Sequence, residues 1–475
     1  MYEEPTFGLR PTRRERSVTE PRNKEGLMGI VLRGITLPKK HSAPLELIEI
    51  AAPGTVALPL IQHLGEPATP TVTVGQKVTS GQLIAAAPTD RSVPLHSPLT
   101  GTVTAIRATF SSRGQDTDAV VIEGKQIKPK TKTLPAPSTL SPAELTEAFR
   151  EAGLLSPGPF PAPLIREILG PEQSGAPLSL SGRRLVKKID TLLVSALDPE
   201  PSLSVNRYLA GIETEALGVG IAALKTISGA ERVVIVTDAN LPSPQPLLSL
   251  AAADETETTK IVRLNARRYP VGLPIPLIKA ALGREVPLPY GRPRDVGVAL
   301  ATVQAAVSLG ETLLTGAPPV TTLLTVGGAA LSRSGIVEIP LGAAIKDLVD
   351  ALGGFTREPA KLIIGGPLTG FAHYDLAVPL GKDAAGLFAL TEEEITPVGS
   401  YRECINCGRC VAVCPVNLVP GMLSMYCAKD RFEEAASRGL LTCIECGCCD
   451  YVCPSRRPLV HFFRHAKHQL MEAGS

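Results

Sequence analysis

The residues most able to do chemistry in this chain are its cysteines. All ten lie between Cys404 and Cys453, and the preceding 403 residues contain none. Eight of them form two runs of one design. The first reads Cys404-Ile-Asn-Cys407-Gly-Arg-Cys410-Val-Ala-Val-Cys414-Pro415, and the second Cys443-Ile-Glu-Cys446-Gly-Cys-Cys449-Asp-Tyr-Val-Cys453-Pro454. Secreted disulfide proteins spread their cysteines through their domains. Clustering at short spacings reads instead as metal ligation in a reducing compartment. Zinc favours paired C-x2-C knuckles with four ligands per site, which two identical four-cysteine runs fit poorly. The C-x2-C-x2-C-x3-C-P spacing is that of thiolates on [4Fe–4S] cubanes.

Three thiolates two residues apart can hold three irons of one cubane from a tight loop, and Gly408 and Gly447 let each loop turn without a Cβ clash. The fourth cysteine lies three residues on and points away from its own loop, toward the other cluster. The expected ligand sets are therefore Cys404, Cys407, Cys410 and Cys453 for one cluster, and Cys443, Cys446, Cys449 and Cys414 for the other. Pro415 and Pro454 end each loop. Cys427 and Cys448 fall outside the pattern and read as a small buried residue and a loop filler. Two adjacent clusters form a wire with no catalytic residue of its own, so the rest of the chain should bring a donor and an acceptor.

The elements that must position this wire occupy a chain of 475 residues, long enough for roughly three or four domains. The net charge of +2, the absence of Trp and the 4% aromatic content give no footing for nucleic acid. Residues 1–42, rich in Arg, Pro and Gly, read as an extended arm; Met1 to Ser17 are polar and lack the apolar segment of a signal peptide. Residues 43–125 read as all-β, with short runs at 71–74 and 82–87 and a strand at 101–106. A Pro/Lys/Thr linker covers 126–140. Residues 141–315 alternate strands and helices, implying a partly parallel α/β sheet. Ser141-Pro-Ala-Glu144 is a capping box, strands are expected at 189–194, 232–237, 261–264 and 296–300, and a helix at 204–227. Residues 316–375 read as a small α+β unit, with strands at 321–326, 335–340 and 362–365 around a helix at 343–352. Residues 390–475 read as helices around the cysteine runs. The uncharged stretch 312–332 is long enough to span a membrane, but its glycines and prolines read as a loop and a buried strand. Residues 455–468 carry Arg456, Arg457, Arg464 and Lys467 and no acid. They read either as a face for an acidic partner or membrane, or as a solvated helix face.

Residues 74–78 and 83–101, ending in Ser97-Pro98-Leu99-Thr100-Gly101, resemble a lipoyl or biotinyl carrier domain. The position of the modified lysine is Arg91, which cannot form the amide link, so the module reads as a barrel-sandwich used for docking. His96 reads as a structural turn residue rather than a ligand.

Taken in order, these parts resemble the C subunit family of Rnf electron transport complexes, the membrane-bound ferredoxin:NAD oxidoreductases. The resemblance rests on Pro59-Leu-Ile-Gln-His-Leu-Gly65, Tyr269-Pro-Val-Gly272, Gly283-Arg-Glu-Val-Pro287, Asp295-Val-Gly297, Gly365-Gly-Pro-Leu-Thr-Gly370 and the double cysteine run. It implies a multidomain α+β fold: a lipoyl-like barrel-sandwich, a Rossmann-like α/β domain similar to the 51-kDa subunit of complex I, a β-grasp (SLBB-like) domain and a bacterial-ferredoxin-like domain with two [4Fe–4S] clusters. It also implies a peripheral place on the cytoplasmic face of the cell membrane. The expected role is a subunit that relays electrons between a soluble carrier such as ferredoxin and membrane subunits of an ion-translocating complex. The alternative is a soluble NADH-dependent flavin and iron–sulfur oxidoreductase. The family's glycine-rich phosphate loop follows Arg150-Glu-Ala-Gly153, but here reads Leu-Leu-Ser-Pro-Gly158-Pro-Phe-Pro161. Prolines carry no N–H for a phosphate. The family's flavin-contact motif reads Ser195-Ala-Leu-Asp-Pro-Glu-Pro201, keeping only Glu200 and Pro201. Both departures count against FMN and NADH.

Overall fold

A computed structural model describes residues 33–37, 44–131, 135–170, 187–212, 215–254, 258–395, 399 and 401–473. Most of the expected N-terminal arm and part of the linker lie outside the described residues.

The β module is built on a long antiparallel hairpin of Thr100–Phe110 and Asp116–Lys125, flanked by Thr55–Pro59 and Lys77–Val78. A second sheet joins Thr69–Pro70, Leu83–Ala86 and Leu95–His96. Alternate residues of these strands, among them Val56, Leu58, Ile84, Leu95, Val103, Val120 and Ile122, turn inward to a shared core, as the two-residue period of a strand requires. Residues 71–74 do not form a strand: Gln76 takes the Thr73 amide on its side chain at 3.1 Å and folds the segment into a turn. His96 sits in a strand rather than a turn, and is buried. Arg91 lies between Leu83–Ala86 and Leu95–His96, exposed and 3.6 Å from Glu66.

The α/β unit holds four parallel strands in the order Thr259–Leu264, Arg232–Asp238, Thr191–Ser195, Val298–Thr302. The two central strands are apolar on both faces, as a sheet covered on both sides demands. Helices Glu215–Ser228 and Val303–Thr315 cross at Gly220 and Gly310. A Cβ on either would meet the carbonyl of Ala306 or Ala216 at 1.8 Å, so the crossing depends on both glycines. The helix expected at 204–227 is broken: Val205–Ala210 ends at Gly211, and a second helix begins at Glu215. Ser141 and Glu144 close the expected capping box on Pro142–Ala152.

A six-stranded mixed sheet follows, in the order Phe371–His373, Lys361–Ile364, Gly386–Leu390, Thr321–Gly327, Gly335–Pro340, Leu47–Ile48. It takes in Gly386–Leu390, beyond the 375 boundary expected for this unit, and borrows Leu47–Ile48 from the start of the β module. Residues 312–315 are the last turn of helix Val303–Thr315 rather than loop. Among the described residues no helix is long and apolar enough to cross a membrane. The last segment is a set of short helices, closed by Leu459–Ala473, around the cysteines.

Candidate iron–sulfur site

The two cysteine runs fold as repeats of one backbone. Asn406 and Glu445 both take φ 54°, and Asn417 and Arg456 take 58° and 52°. These left-handed values are costly for residues with a Cβ. Gly408 and Gly447, at φ 72° and 76°, open the short helices Arg409–Val413 and Cys448–Tyr451. Each loop therefore turns back on itself through the positions between its first three cysteines.

That turn brings the thiols into two groups. Cys404, Cys407 and Cys410 share a cavity of about 250 Å3 with Cys453 from the second run. Cys443, Cys446 and Cys449 share a tighter one, about 20 Å3, with Cys414 from the first. Cys448, Val460 and Phe463 stand on the wall of the second cavity. Cys410, Cys414, Cys443, Cys449 and Cys453 all meet in one buried cluster with Leu423 and Phe463, so the two cavities adjoin. Among the described residues no three His, Cys, Asp or Glu side chains converge closely enough to hold a single metal ion. Four cysteines line the first largely apolar cavity and five, Cys448 included, the second; soft thiols of this kind suit iron–sulfur cores. A Cβ on Gly421 would lie at ordinary contact distance, 3.5 and 3.6 Å, from the Cys404 and Cys410 sulfurs, so its helix lies against the first group. The Leu418 amide donates to the Cys414 sulfur at 3.3 Å, and that of Glu445 to the Cys443 sulfur at 3.4 Å. Such N–H···S bonds stabilise thiolate charge.

The surroundings of the two loops differ. Residues 401–409 are exposed apart from half-buried Cys404, whereas 444–449 are buried. Burial pushes the Cys443 thiol up to about 12, against the pull of Lys467. Buried Glu445 takes Arg464 Nε at 2.9 Å and Lys467 Nζ at 2.8 Å, and Lys467 also donates to the Cys443 carbonyl at 2.6 Å. The Tyr269 hydroxyl donates to the Cys446 carbonyl, while Cys448 is fully buried with its sulfur 4.0 Å from the Tyr269 carbonyl. Cys427 is buried as well. The basic stretch 455–468 is thus no single face. Arg464 and Lys467 are spent on Glu445, Arg457 is buried over the rings of Tyr401 and Phe462, and Arg456 is exposed.

A cavity of about 190 Å3 lies at the meeting of the β module, the α/β unit and the mixed sheet. Arg464 donates to the carbonyls of Thr369 and Gly370, at 2.7 and 3.1 Å, and lies 4.4 Å from the centre of the Phe371 ring. Arg113 stands over that ring as well, at 4.7 Å. Residues 154–159 line the cavity beside Asp198, Gly366, Phe371 and Lys382. The loop is closed on itself: the Ser156 amide donates to Ala162 O at 2.8 Å, and Arg113 covers Pro159 O at 2.9 Å. From 157 to 161 only Gly158 and Phe160 carry an amide N–H. Of the flavin-contact motif, buried Glu200 accepts from the Leu368 and Thr369 amides at 2.9 and 2.7 Å and from the Thr369 hydroxyl. Asp198 accepts from the Asn206 amide at 2.8 Å and pairs with Arg207 at 3.0 Å. Both acids are engaged in joining chain segments. Lys382, whose ammonium burial lowers to about 7, donates to the carbonyls of Pro94, Ala152 and Gly153. Sequence reasoning missed Tyr269, Glu445 and Lys382 as parts of the site; Tyr269 and Glu445 lay in motifs singled out beforehand, and Lys382 did not.

Residues 31–126 match the RnfC barrel sandwich hybrid domain, 166–311 the Nuo51 FMN-binding domain, 323–372 the SLBB domain and 397–419 the 4Fe-4S binding domain. The FMN-binding match begins beyond the proline-rich loop. The chain is 31% identical over 443 residues to the C subunit of the proton-translocating ferredoxin:NAD(+) oxidoreductase complex of Clostridium ljungdahlii, covering 92% of each chain. It is 34% identical to the C subunit of the ion-translocating oxidoreductase complex of Pseudomonas aeruginosa, over 92% of this chain but only 55% of that longer one. The C subunit of the Na(+)-translocating ferredoxin:NAD(+) oxidoreductase complex of Acetobacterium woodii is 29% identical, over 91% of this chain and 95% of that one.

Proposed function

The chain belongs to the family of C subunits of Rnf ion-translocating oxidoreductase complexes, and on that premise we propose that it relays electrons through two [4Fe–4S] clusters between a soluble carrier and the membrane subunits of such a complex. The observation that carries this reading is the exchange of the fourth cysteine between the two runs: Cys453 lines the cavity of Cys404, Cys407 and Cys410, and Cys414 that of Cys443, Cys446 and Cys449. When bound, each cluster would supply one-electron transfer. Cys404, Cys407, Cys410 and Cys453 would hold one, and Cys414, Cys443, Cys446 and Cys449 the other. The protein excludes water from the second through Tyr269, Cys448 and Phe463, and leaves the first loop open to a partner. The cytoplasmic membrane face, held peripherally, is the place this role requires, with a ferredoxin as carrier and the other complex subunits as partners.

Mixing the anaerobically purified chain with reduced ferredoxin tests the reading. The visible absorbance of the clusters should bleach, then recover when membrane vesicles holding the remaining subunits are added. Clusters that neither accept electrons from ferredoxin nor yield them to the vesicles would contradict it.

The match of 166–311 to an FMN-binding domain, with a cavity of about 190 Å3 beside it, favours a second reading: a flavin and NADH oxidoreductase. The proline-rich loop offers few donors to a phosphate. Flavin absorbance in purified protein, or rapid bleaching of the clusters by NADH, would favour this second reading.

A further inference from the structure

The two cysteine runs differ at one position inside the loop. Between its second and third cysteines the first run carries Gly408-Arg409, and the second carries Gly447-Cys448. The backbones match there: Gly408 and Gly447 take φ 72° and 76°, and each opens the short helix on which the next residue stands. The side chains do not match. Arg409 is exposed, whereas Cys448 is fully buried.

The extra thiol stands among the second group. Cys448 lines one cavity with Cys414, Cys443, Cys446 and Cys449, which is one thiol more than the four that a [4Fe–4S] core takes. Its side chain is hydrogen-bonded to that of Cys446, and the two share an apolar cluster with Tyr269, Leu273 and Ile444. Its contact with the Tyr269 carbonyl, at 4.0 Å, is weak. A buried free cysteine can serve as a small apolar filler, but apolar filling does not require contact with a ligand sulfur. The loop backbone is pinned on both sides of this pair. The Tyr269 hydroxyl holds the Cys446 carbonyl, and Gly447 packs on Leu368, whose carbonyl a Cβ would approach to 2.8 Å. An exchange of Cys448 for Cys446 therefore calls for rotation of a side chain, not movement of the chain.

Resting on the reading of the eight run cysteines as cluster ligands, we propose that Cys448 is a reserve ligand of the second cluster, taking the iron of Cys446 when that thiolate is lost. In the exchange the Cys448 S–H releases its proton to solvent, as a thiol does on binding metal. Its sulfur forms the one iron–sulfur bond left vacant, and no electron is transferred. The first cluster has no such substitute, because Arg409 carries no sulfur.

The test compares alanine variants of the full chain, purified anaerobically without added thiol so that no outside sulfur fills the vacancy. Cys446→Ala should keep about eight irons per chain and, as isolated, show no electron paramagnetic resonance signal of a three-iron core. Cys407→Ala, the matching change in the first run, should fall to about seven irons or fewer, and so should Cys446→Ala combined with Cys448→Ala. Cys448→Ala alone should keep about eight. Cys448→Ser adds a spectroscopic readout. With Cys446 present it should leave the reduced second cluster little changed; in the Cys446→Ala background it should shift that spectrum, since oxygen then replaces sulfur on an iron. Iron loss in Cys446→Ala equal to that in Cys407→Ala, or a Cys446→Ala spectrum indifferent to Cys448→Ser, would overturn the proposal. If Cys446→Ala does not fold, Cys446→Ser takes its place: adding Cys448→Ala should then shift the spectrum, and no shift would overturn the proposal. A parent chain without a second cluster would refute the cluster reading itself; full iron in the parent with equal losses in the two single variants would refute the reserve ligand alone.

Discussion

Arg464 and Glu445 form a buried ion pair, Nε to Oε2 at 2.9 Å, that ties helix Leu459–Ala473 to the second cysteine loop. Lys467 adds a second cation one turn further along the same helix. Arg464 also reaches the carbonyls of Thr369 and Gly370, so one side chain joins the loop to the mixed sheet.

Removing the carboxylate would strand two buried cations. Breaking a buried pair from one side costs about 3–5 kcal/mol. Glu445→Gln should therefore destabilise the protein by about 3 kcal/mol in denaturant unfolding and lower the iron retained. An unchanged unfolding midpoint with full iron would show that the pair does not hold the loop.

Gly366 packs against Glu200 so closely that a Cβ would lie 2.2 Å from the carboxyl carbon. Glu200 is fully buried and cannot retreat to solvent. Gly366→Ala should cost about 2 kcal/mol or more, as overpacking does, and loosen the 365–370 loop. Hydrogen exchange at the Leu368 and Thr369 amides reads this directly; exchange as slow as in the parent would contradict it.

The proposed exchange of ligands between runs predicts crossed phenotypes. Cys414→Ser should chiefly perturb the cluster of Cys443, Cys446 and Cys449, and Cys453→Ser that of Cys404, Cys407 and Cys410. Electron paramagnetic resonance of each variant distinguishes the two. Damage confined to the mutated run's own first three cysteines would contradict the crossing.

Burial, aided by nearby Lys382, lowers His63 from 6.5 to about 4. Its Nδ1 has no hydrogen-bond partner among the described residues, so a second ring proton would be left unpaired. Below 6.5 the unfolded chain takes up a proton that the folded protein refuses until about 4. Stability should thus fall as pH drops through that window, by about 1.4 kcal/mol per unit at most. His63→Gln should show a flatter decline between pH 6.5 and 5, measured by denaturant midpoint. Parallel curves for the two proteins would remove His63 as the cause.

What the sequence disclosed and what it withheld divide by distance along the chain. The grouping of the cysteines was legible because each loop must place its first three thiols within a few residues, and the Ser141–Glu144 capping box because a helix start is local. The parallel strands were legible from their continuous apolar runs. The break at Gly211 was not, because the apolar pattern continues across it. The basic stretch 455–468 misled because Arg464 and Lys467 meet an acid some twenty residues away, on another element. Tyr269 reaches Cys446 across 177 positions, and Glu200 reaches Leu368 across 168. Such pairings follow from packing between units, which local spacing does not encode.

The central claim is that each chain holds two cubanes, and counting them tests it most directly. Iron and acid-labile sulfide assayed on anaerobically purified protein should both come to about eight per chain, as two [4Fe–4S] cores require. About four of each, or stoichiometric zinc in their place, would contradict the account.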